Sequence, residues 1–287
     1  MLALQLLVNG IVTGSALGVV AVSFALIYAT TRVFHVAHAG VYTLGGYLAW
    51  SLMRHGVPAI AALLVAMAGC VVLGSLIQIL LYARLERRGA AQLVVLIASL
   101  GALAVIQNLI AAIYSPDILN FSAAWAGQVV ALPGGLRLTG AQIATVVLDF
   151  AAFGATLVFA HRTLLGKRIR AVASNPFLAE ITRLEPRRVH VYVMAIASAL
   201  VCLPGVLGPL DYGLQPYGGV TPLLTATIAM IAGGIGSLAG AFGLAVAIVV
   251  LQNLALLVMP GEWSIGVTFA IFVVFMLFRP RGLFAGK

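Results

Sequence analysis

QLVVLIASLGALAVIQNLIAAIY, residues 92–114, decides the fold class, because these twenty-three residues contain no charged side chain. Wound as an α-helix the stretch is about 34 Å long, enough to cross the roughly 30 Å hydrocarbon core of a bilayer. A surface helix of a soluble domain keeps one apolar stripe and one polar face. This one is apolar nearly all round. Similar runs lie on either side of it, at 7–30, 40–53, 57–82, 141–160, 190–209, 222–235, 238–258 and 263–279. Composition agrees: 63% of the 287 residues are hydrophobic, 8% are charged, and the mean hydropathy is +1.15, where a soluble domain carries roughly a quarter charged residues. The expectation is an all-α, polytopic membrane helical bundle with about 8–9 membrane-embedded segments, forming one transmembrane domain over 1–287. The runs 40–53 and 222–235 are short. Each fits a full crossing of a thinned region, a half-helix or a re-entrant segment.

The formal charge of +9 raises a nucleic-acid partner, but the basic residues sit in short loops between apolar runs, where topology accounts for them. With nine crossings and the N-terminus outside, one side holds Arg32, Arg84, Arg87, Arg88, seven basic residues from Arg162 to Arg188, and Arg279, Arg281 and Lys287. That is fourteen of the sixteen basic residues. Only Arg54 and Arg137 fall on the other side. A re-entrant 222–235 would put one of the large basic groups outside, so a crossing and an N-out/C-in arrangement are expected. No cleavable signal pattern is read, since Met1–Leu7 lacks a basic region. Cys70 and Cys202 lie in apolar runs far apart in sequence and read as small buried hydrophobes rather than a disulfide framework.

Two loops stand out. The outer connection 115–140 has Pro133-Gly134-Gly135 between β-favouring stretches and predicts a hairpin lid. The basic loop HRTLLGKRIRAVASNPFLAEITRLEPRRVH, 161–190, sets Ala171, Phe177, Leu178, Ile181 and Leu184 among Arg and Lys. Asn175-Pro176 reads as an N-cap followed by the first helical residue, and Pro186 is expected to end the short helix over 175–185. Such a helix suits docking into a groove on a soluble partner or lying on anionic headgroups. LAVIQNLI at 103–110 and IVVLQNLA at 248–255 echo each other and raise a parallel repeat; their amides, Gln107, Asn108, Gln252 and Asn253, are expected to bond helix to helix.

Several residues within apolar runs carry chemistry. His35 and His38 fit a structural role bonded to nearby backbone, a place on a solute path, or metal binding, though no third ligand of suitable spacing is visible. Asp149 lies in the middle of its run, where a carboxylate must be protonated, paired or facing a cavity. Gly233-Gly234-x-Gly236-Ser237 reads as close packing or a tight turn, or as a helix break on a water-filled path. It is no phosphate cradle, since no Gly-Lys-Ser/Thr follows.

The segment GKRIRAVASNPFLAEITRLE resembles the cytoplasmic coupling segment of ABC importer permeases of the branched-chain amino acid type, the LivH/LivM family. Gly166, Arg170, Ala171, Asn175 and Ala179 fall on the family's pattern, and Arg183-Leu184 stands where relatives usually have Gly-Ile. VFHVAHAGVYTLGGYLAW, 33–50, is similar to a second family segment through Ala37, His38, Tyr42, Gly45 and Tyr47, with His35 in place of Asn and Ala39 in place of Gly. TIAMIAGGIGSLAGAFGLAVAI, 227–248, is similar to a third, and FRPRGLF, 278–284, resembles the usual ending.

The resemblance implies a permease subunit of an ATP-driven importer for branched-chain or related amino acids, in the inner membrane. It implies an ATPase-coupling loop carrying Gly166, Arg170, Ala171, Asn175, Ala179 and Glu180. The candidates for a substrate pathway are His35, His38, Tyr42, Gly45, Asp149, Gly233, Gly234, Gly236 and Ser237; Asp149 is among them as an intramembrane carboxylate and has no counterpart in the family's segments. The partners implied are two ABC ATPase subunits, a second permease subunit (a related chain or another copy), a periplasmic solute-binding protein and the bilayer, with no nucleic acid. The chain itself needs no cofactor; ATP and Mg belong to the ATPase. The rival readings are the same machine for urea, short amides or a sugar, an intramembrane enzyme built on His35, His38 and Asp149, and a passive channel.

Overall fold

The computed structural model describes residues 1–287 apart from 121–122, 124, 133–134, 280–281 and 285–287. The chain folds as α1 (Leu2–Thr31), α2 (His38–Arg54) and α3 (Ala59–Leu76), which runs through a π-helical turn, Ile77–Tyr82, into α4 (Ala83–Arg87). Next come α5 (Gln92–Tyr114), the strands β1 (Val129–Leu132) and β2 (Leu136–Thr139), and α6 (Gly140–Arg162). The remainder is α7 (Leu164–Ser174), α8 (Pro176–Ile181), α9 (Pro186–Leu207), α10 (Pro209–Tyr212), α11 (Val220–Gly233), α12 (Leu238–Ala255), a 3-10 turn at Gly261–Trp263, and α13 (Ser264–Phe278). Every apolar run read from the sequence is a helix. Among the described residues, seven helical stretches are long and apolar enough to cross a membrane.

Helix α1 is the central post, packed by α12, α9, α11 and α6. It is buried along most of its length, whereas α3, α5, α6 and above all α13 turn most of their apolar surface outward. That inverted exposure is the signature of a bundle solvated by lipid, where apolar atoms cost nothing at the periphery.

The loops gather at two opposed ends. At one end, Arg32 shares a cavity with His161, Arg170, Gly236 and Phe284, and His190 lies 3.7 Å from Glu86. At the other, the Gln5 side chain brackets the Arg137 backbone with two hydrogen bonds of 2.8 and 3.0 Å. There too the Thr139 hydroxyl donates to Asp211 at 3.1 Å, and Leu119 bridges to Leu214. Strands β1 and β2 pair antiparallel, with Leu132 opposite Leu136; Pro133 and Gly134 between them fall outside the described residues, as do Pro280 and Arg281 of the C-terminal motif.

Both short runs reach only part-way. The hydroxyl of Ser23, eight residues and about 12 Å before the end of α1, lies 2.8 Å from His38 Nε2 at the start of α2. Residues 32–37 therefore climb back into the bundle before α2 begins. Helix α11 has 14 residues, about 21 Å, and starts level with that same point. A Cβ on Gly219 would sit 2.7 Å from Thr43 Oγ1 and overlap the Ala39 carbonyl. The chain does pass from one end of the molecule to the other between α10 and α12, but the helix covers only the half nearer the basic loops.

Candidate functional site

The irregular stretch 213–219 descends from the end of α10 to the start of α11 inside the bundle. Backbone without helical bonds is tolerated at membrane depth only against protein or a water-filled cavity, and a cavity of about 240 Å³ lies there. Tyr42, Thr43, Tyr212, Gln215, Tyr217 and Thr221 line it, together with Pro209 and Leu214, and no charged side chain does. Tyr42 and Tyr212 join hydroxyls at 2.8 Å across the pocket, and the Tyr217 hydroxyl donates to Asn108 of α5 at 3.3 Å. Helix α11 begins at the wall, so the positive end of its dipole is directed at the pocket. Close approaches of backbone hold the frame: a Cβ on Gly46 would sit 2.6 Å from the Gly205 carbonyl oxygen, and one on Gly205 would overlap the Tyr42 carbonyl. Of the residues assigned to a pathway by sequence, only Tyr42 lines this cavity. Tyr212, Gln215 and Tyr217 were passed over because they sit in a loop without a motif, and only the proximity of α2 gives them a common purpose.

His35 and His38 are fully buried next to it. Ser23 donates to the Val20 carbonyl at 2.8 Å, so at His38 the Nε2–H is the donor to Ser23. Tyr82 donates to Ser99 at 2.7 Å, which leaves His35 Nδ1–H donating to the Tyr82 oxygen at 2.7 Å. The Ala37 backbone N–H closes the network on Ser99 at 3.0 Å. The two imidazoles thus pin the buried turn 32–37 to α1, the π-helical turn and α5. The π-turn has a purpose here, since it presents Tyr82 to His35. One nitrogen of each ring, His35 Nε2 and His38 Nδ1, has no partner among the described residues. Among the described residues no three His, Cys, Asp or Glu side chains gather as a metal would need.

Asp149 is fully buried between α6 and α1. Among the described residues its one hydrogen-bond partner is Ser15 Oγ, 3.5 Å from Oδ2, and Oδ1 has none. Gly45 lies between two sulfurs: a Cβ there would be 2.8 Å from Cys202 Sγ and 3.3 Å from Cys70 Sγ. The cysteines are free and buried, distant in sequence but neighbours across this glycine.

Gly233-Gly234-x-Gly236-Ser237 forms a tight turn between α11 and α12. Gly234 and Gly236 take φ of 106° and 99°, which side chains rarely adopt, and Ser237 caps α12 by accepting from Gly240 N–H at 3.1 Å. The C-terminal tail docks on the turn through Leu283 N–H to Ala232 (2.9 Å) and Phe284 N–H to Gly233 (3.0 Å). The amides behave unequally. Gln252 reaches across to Ser264 and Thr268 near the last helix, Asn108 bonds back to its own helix while accepting from Tyr217, Asn253 bonds only back to the carbonyl one turn earlier among the described residues, and there the Gln107 amide nitrogen has no partner.

The basic loop holds two helices where the sequence suggested one. Thr163 caps α7 at Gly166 N–H (3.0 Å), and Gly166 sits so close to the Phe159 and Ala160 backbone that a side chain would overlap it. Asn175 caps α8 through Leu178 N–H (3.0 Å), with Pro176 first in the helix. Pro186 does not end α8. The helix stops at Ile181, where Arg183 turns left-handed at φ 61° and its N–H and that of Leu184 bond back to Glu180 and Ala179; Pro186 instead opens α9. Ala179 is buried, so it seats α8 on the body, while Phe177, Leu178 and Ile181 are 68%, 57% and 65% exposed. On α8 the large outward apolar side chains are these three.

A family described as branched-chain amino acid transport system permease component matches residues 6–276. The high-affinity branched-chain amino acid transport system permease protein LivH of Salmonella typhimurium is 27% identical, over 98% of this chain and 94% of the relative. BraD of Pseudomonas aeruginosa, a permease protein of the same description, is also 27% identical, over 98% and 95%. A probable LivH permease of Methanocaldococcus jannaschii is 24% identical over 83% and 76%. In fold, the chain is similar to a solved chain of PsaBC from Streptococcus pneumoniae in complex with Fab, at a TM-score of 0.54 and 14% identity, covering 95% of this chain and 91% of that one.

Proposed function

The chain belongs to the family of branched-chain amino acid transport system permease components, and from that premise we propose that it is the membrane subunit of an ATP-driven importer of branched-chain or related amino acids. The observation that carries the reading is the half-helix α11 with its irregular lead-in 213–219 on the Tyr42 pocket. Interrupted helices at mid-depth are how transporters place polar groups and a helix dipole against a small solute. A pocket of about 240 Å³ with hydroxyls and an amide, an apolar wall at Pro209 and Leu214, and no fixed charge suits a small zwitterion with an aliphatic side chain. Its α-carboxylate is placed towards the start of α11, and its side chain against the apolar wall. His35 and His38 act on the path indirectly, by fixing the turn from which α2 and Tyr42 project.

The ATPase docks on α8. Phe177, Leu178 and Ile181 form its apolar contact, and Asn175 and Ala179 hold the helix in place. Two ATPases, a second permease subunit and a periplasmic binding protein complete the machine. The chain sits in the inner membrane with the basic end in the cytoplasm, and ATP and Mg stay on the ATPases.

Reconstitution of the whole complex in liposomes tests this. Uptake of radiolabelled leucine is expected to require ATP and to fall at least tenfold in Phe177→Asp and Ile181→Asp, with loss of ATPase co-purification. Leucine flux without ATP would instead indicate a channel. Uptake of urea in preference to leucine would move the substrate, and chemical turnover by the purified chain alone would make it an enzyme.

A further inference from the structure

At the basic end a cavity of about 540 Å³ opens between the ends of α1 and α6, helix α7 and the turn before α12. Its wall is apolar, formed by Leu26, Ala29, Leu157, Phe159, Leu238 and Phe284. Its rim carries Arg32, Arg170 and His161. None of the chain's seven acidic residues lines it, and neither arginine has an ion-pair partner among the described residues. His161 spends Nδ1–H on the Leu157 carbonyl at 2.9 Å, so its Nε2 faces outward from that bond. Arg32 is the left-handed cap of α1, with φ 56°, a conformation that glycine adopts freely and arginine does not. A long cationic side chain sits where the backbone favours glycine.

We propose that this cavity is a binding site for an anionic phospholipid, with the headgroup phosphate held by Arg32 and Arg170 and an acyl chain along the Leu26–Leu157–Phe159 wall. Charge complementarity selects the occupant: basic pockets between membrane helices take acidic headgroups, and the apolar wall below gives a lipid something that a free anion cannot use. The site joins α7, which leads into α8, to the turn joining α11 and α12. An occupying lipid therefore bridges the ATPase-facing loop and the half-helix, and its presence regulates how firmly the two move together. The assignment holds whatever solute the permease carries.

Native mass spectrometry of the full-length permease in detergent reads the binding, titrated separately with phosphatidylglycerol, phosphatidylcholine and inorganic phosphate. Saturable retention of phosphatidylglycerol but not phosphatidylcholine is expected. Arg32→Gly and Arg170→Gln should each weaken it about fivefold, the worth of one basic contact, while Arg137→Gln at the opposite end leaves it unchanged. Arg32→Gly relaxes the backbone, so without lipid its melting temperature should match or exceed that of the unmodified chain, which separates loss of the site from loss of the fold. Equal retention of phosphatidylcholine, or undiminished phosphatidylglycerol affinity in both variants, overturns the proposal. Inorganic phosphate binding with the same Arg32 dependence overturns it in favour of a free anion.

Discussion

Asp149 shows what a single side chain can ask of a membrane bundle. It faces α1, and among the described residues its one hydrogen-bond partner is Ser15 at 3.5 Å, with Oδ1 left without any. Ser15 also gives its hydrogen to the Val12 carbonyl at 2.8 Å, so it satisfies a charged carboxylate poorly, and a neutral group is cheaper to bury here. An amide is such a group. Asp149→Asn is therefore predicted to keep or raise the melting temperature in detergent and to leave transport intact; loss of transport at unchanged stability would show that the carboxyl itself is used. Glycines divide as sharply. Gly219→Ala drives a Cβ into the Ala39 carbonyl and Thr43 and should cost about 2 kcal/mol in thermal unfolding, with loss of the Tyr42 pocket. Gly154→Ala, which meets nothing within 4 Å, should gain up to about 1 kcal/mol. The sequence singled out His35, His38 and Asp149 because polar residues in apolar runs are conspicuous. It gave no hint of Tyr82 and Ser99, the partners that define His35, since Tyr and Ser are ordinary in membrane helices.

Helix α8 is the element most fully readable beforehand, because caps are local chemistry. Asn175 and Pro176 announced its start. Its end was misplaced at Pro186, because the stop is a left-handed residue and arginine does not advertise that conformation. A glycine would adopt the Arg183 conformation without strain. Opposite signs follow for two substitutions, both read by hydrogen exchange of the 177–184 amides. Asn175→Ala should lower local stability by about 1 kcal/mol, and Arg183→Gly should raise it by about 1 kcal/mol; if Arg183→Gly lowered protection, the strain at this cap would not be real. The nine apolar runs were legible for the same local reason. Only their depth was not: α2 and α11 look like ordinary short helices until Gly219 is seen against Ala39 and Ser23 against His38.

At the scale of the whole molecule, the charge asymmetry and the fold agree on which loops share an end. Arg32, Arg170, Glu86 and His190 meet at one, and Gln5, Arg137, Thr139 and Asp211 at the other. A membrane-impermeant maleimide is predicted to label Arg137→Cys in intact spheroplasts and Arg183→Cys only after permeabilisation; the reverse pattern would invert the topology. Cys70 and Cys202 are buried and should stay unlabelled, so no cysteine-free background is needed. The sequence by itself determined the class, the positions of the apolar helices and the grouping of the loops, because hydrophobic length and positive charge act on each segment independently of its neighbours. Only the tertiary structure decided which residues line the Tyr42 pocket, which arginines face an uncharged wall, and which short helices stop half-way. Each of those depends on segments separate in the sequence, such as Ala39 and Gly219 or Tyr42 and Tyr212, arriving in contact, and no local pattern encodes that meeting.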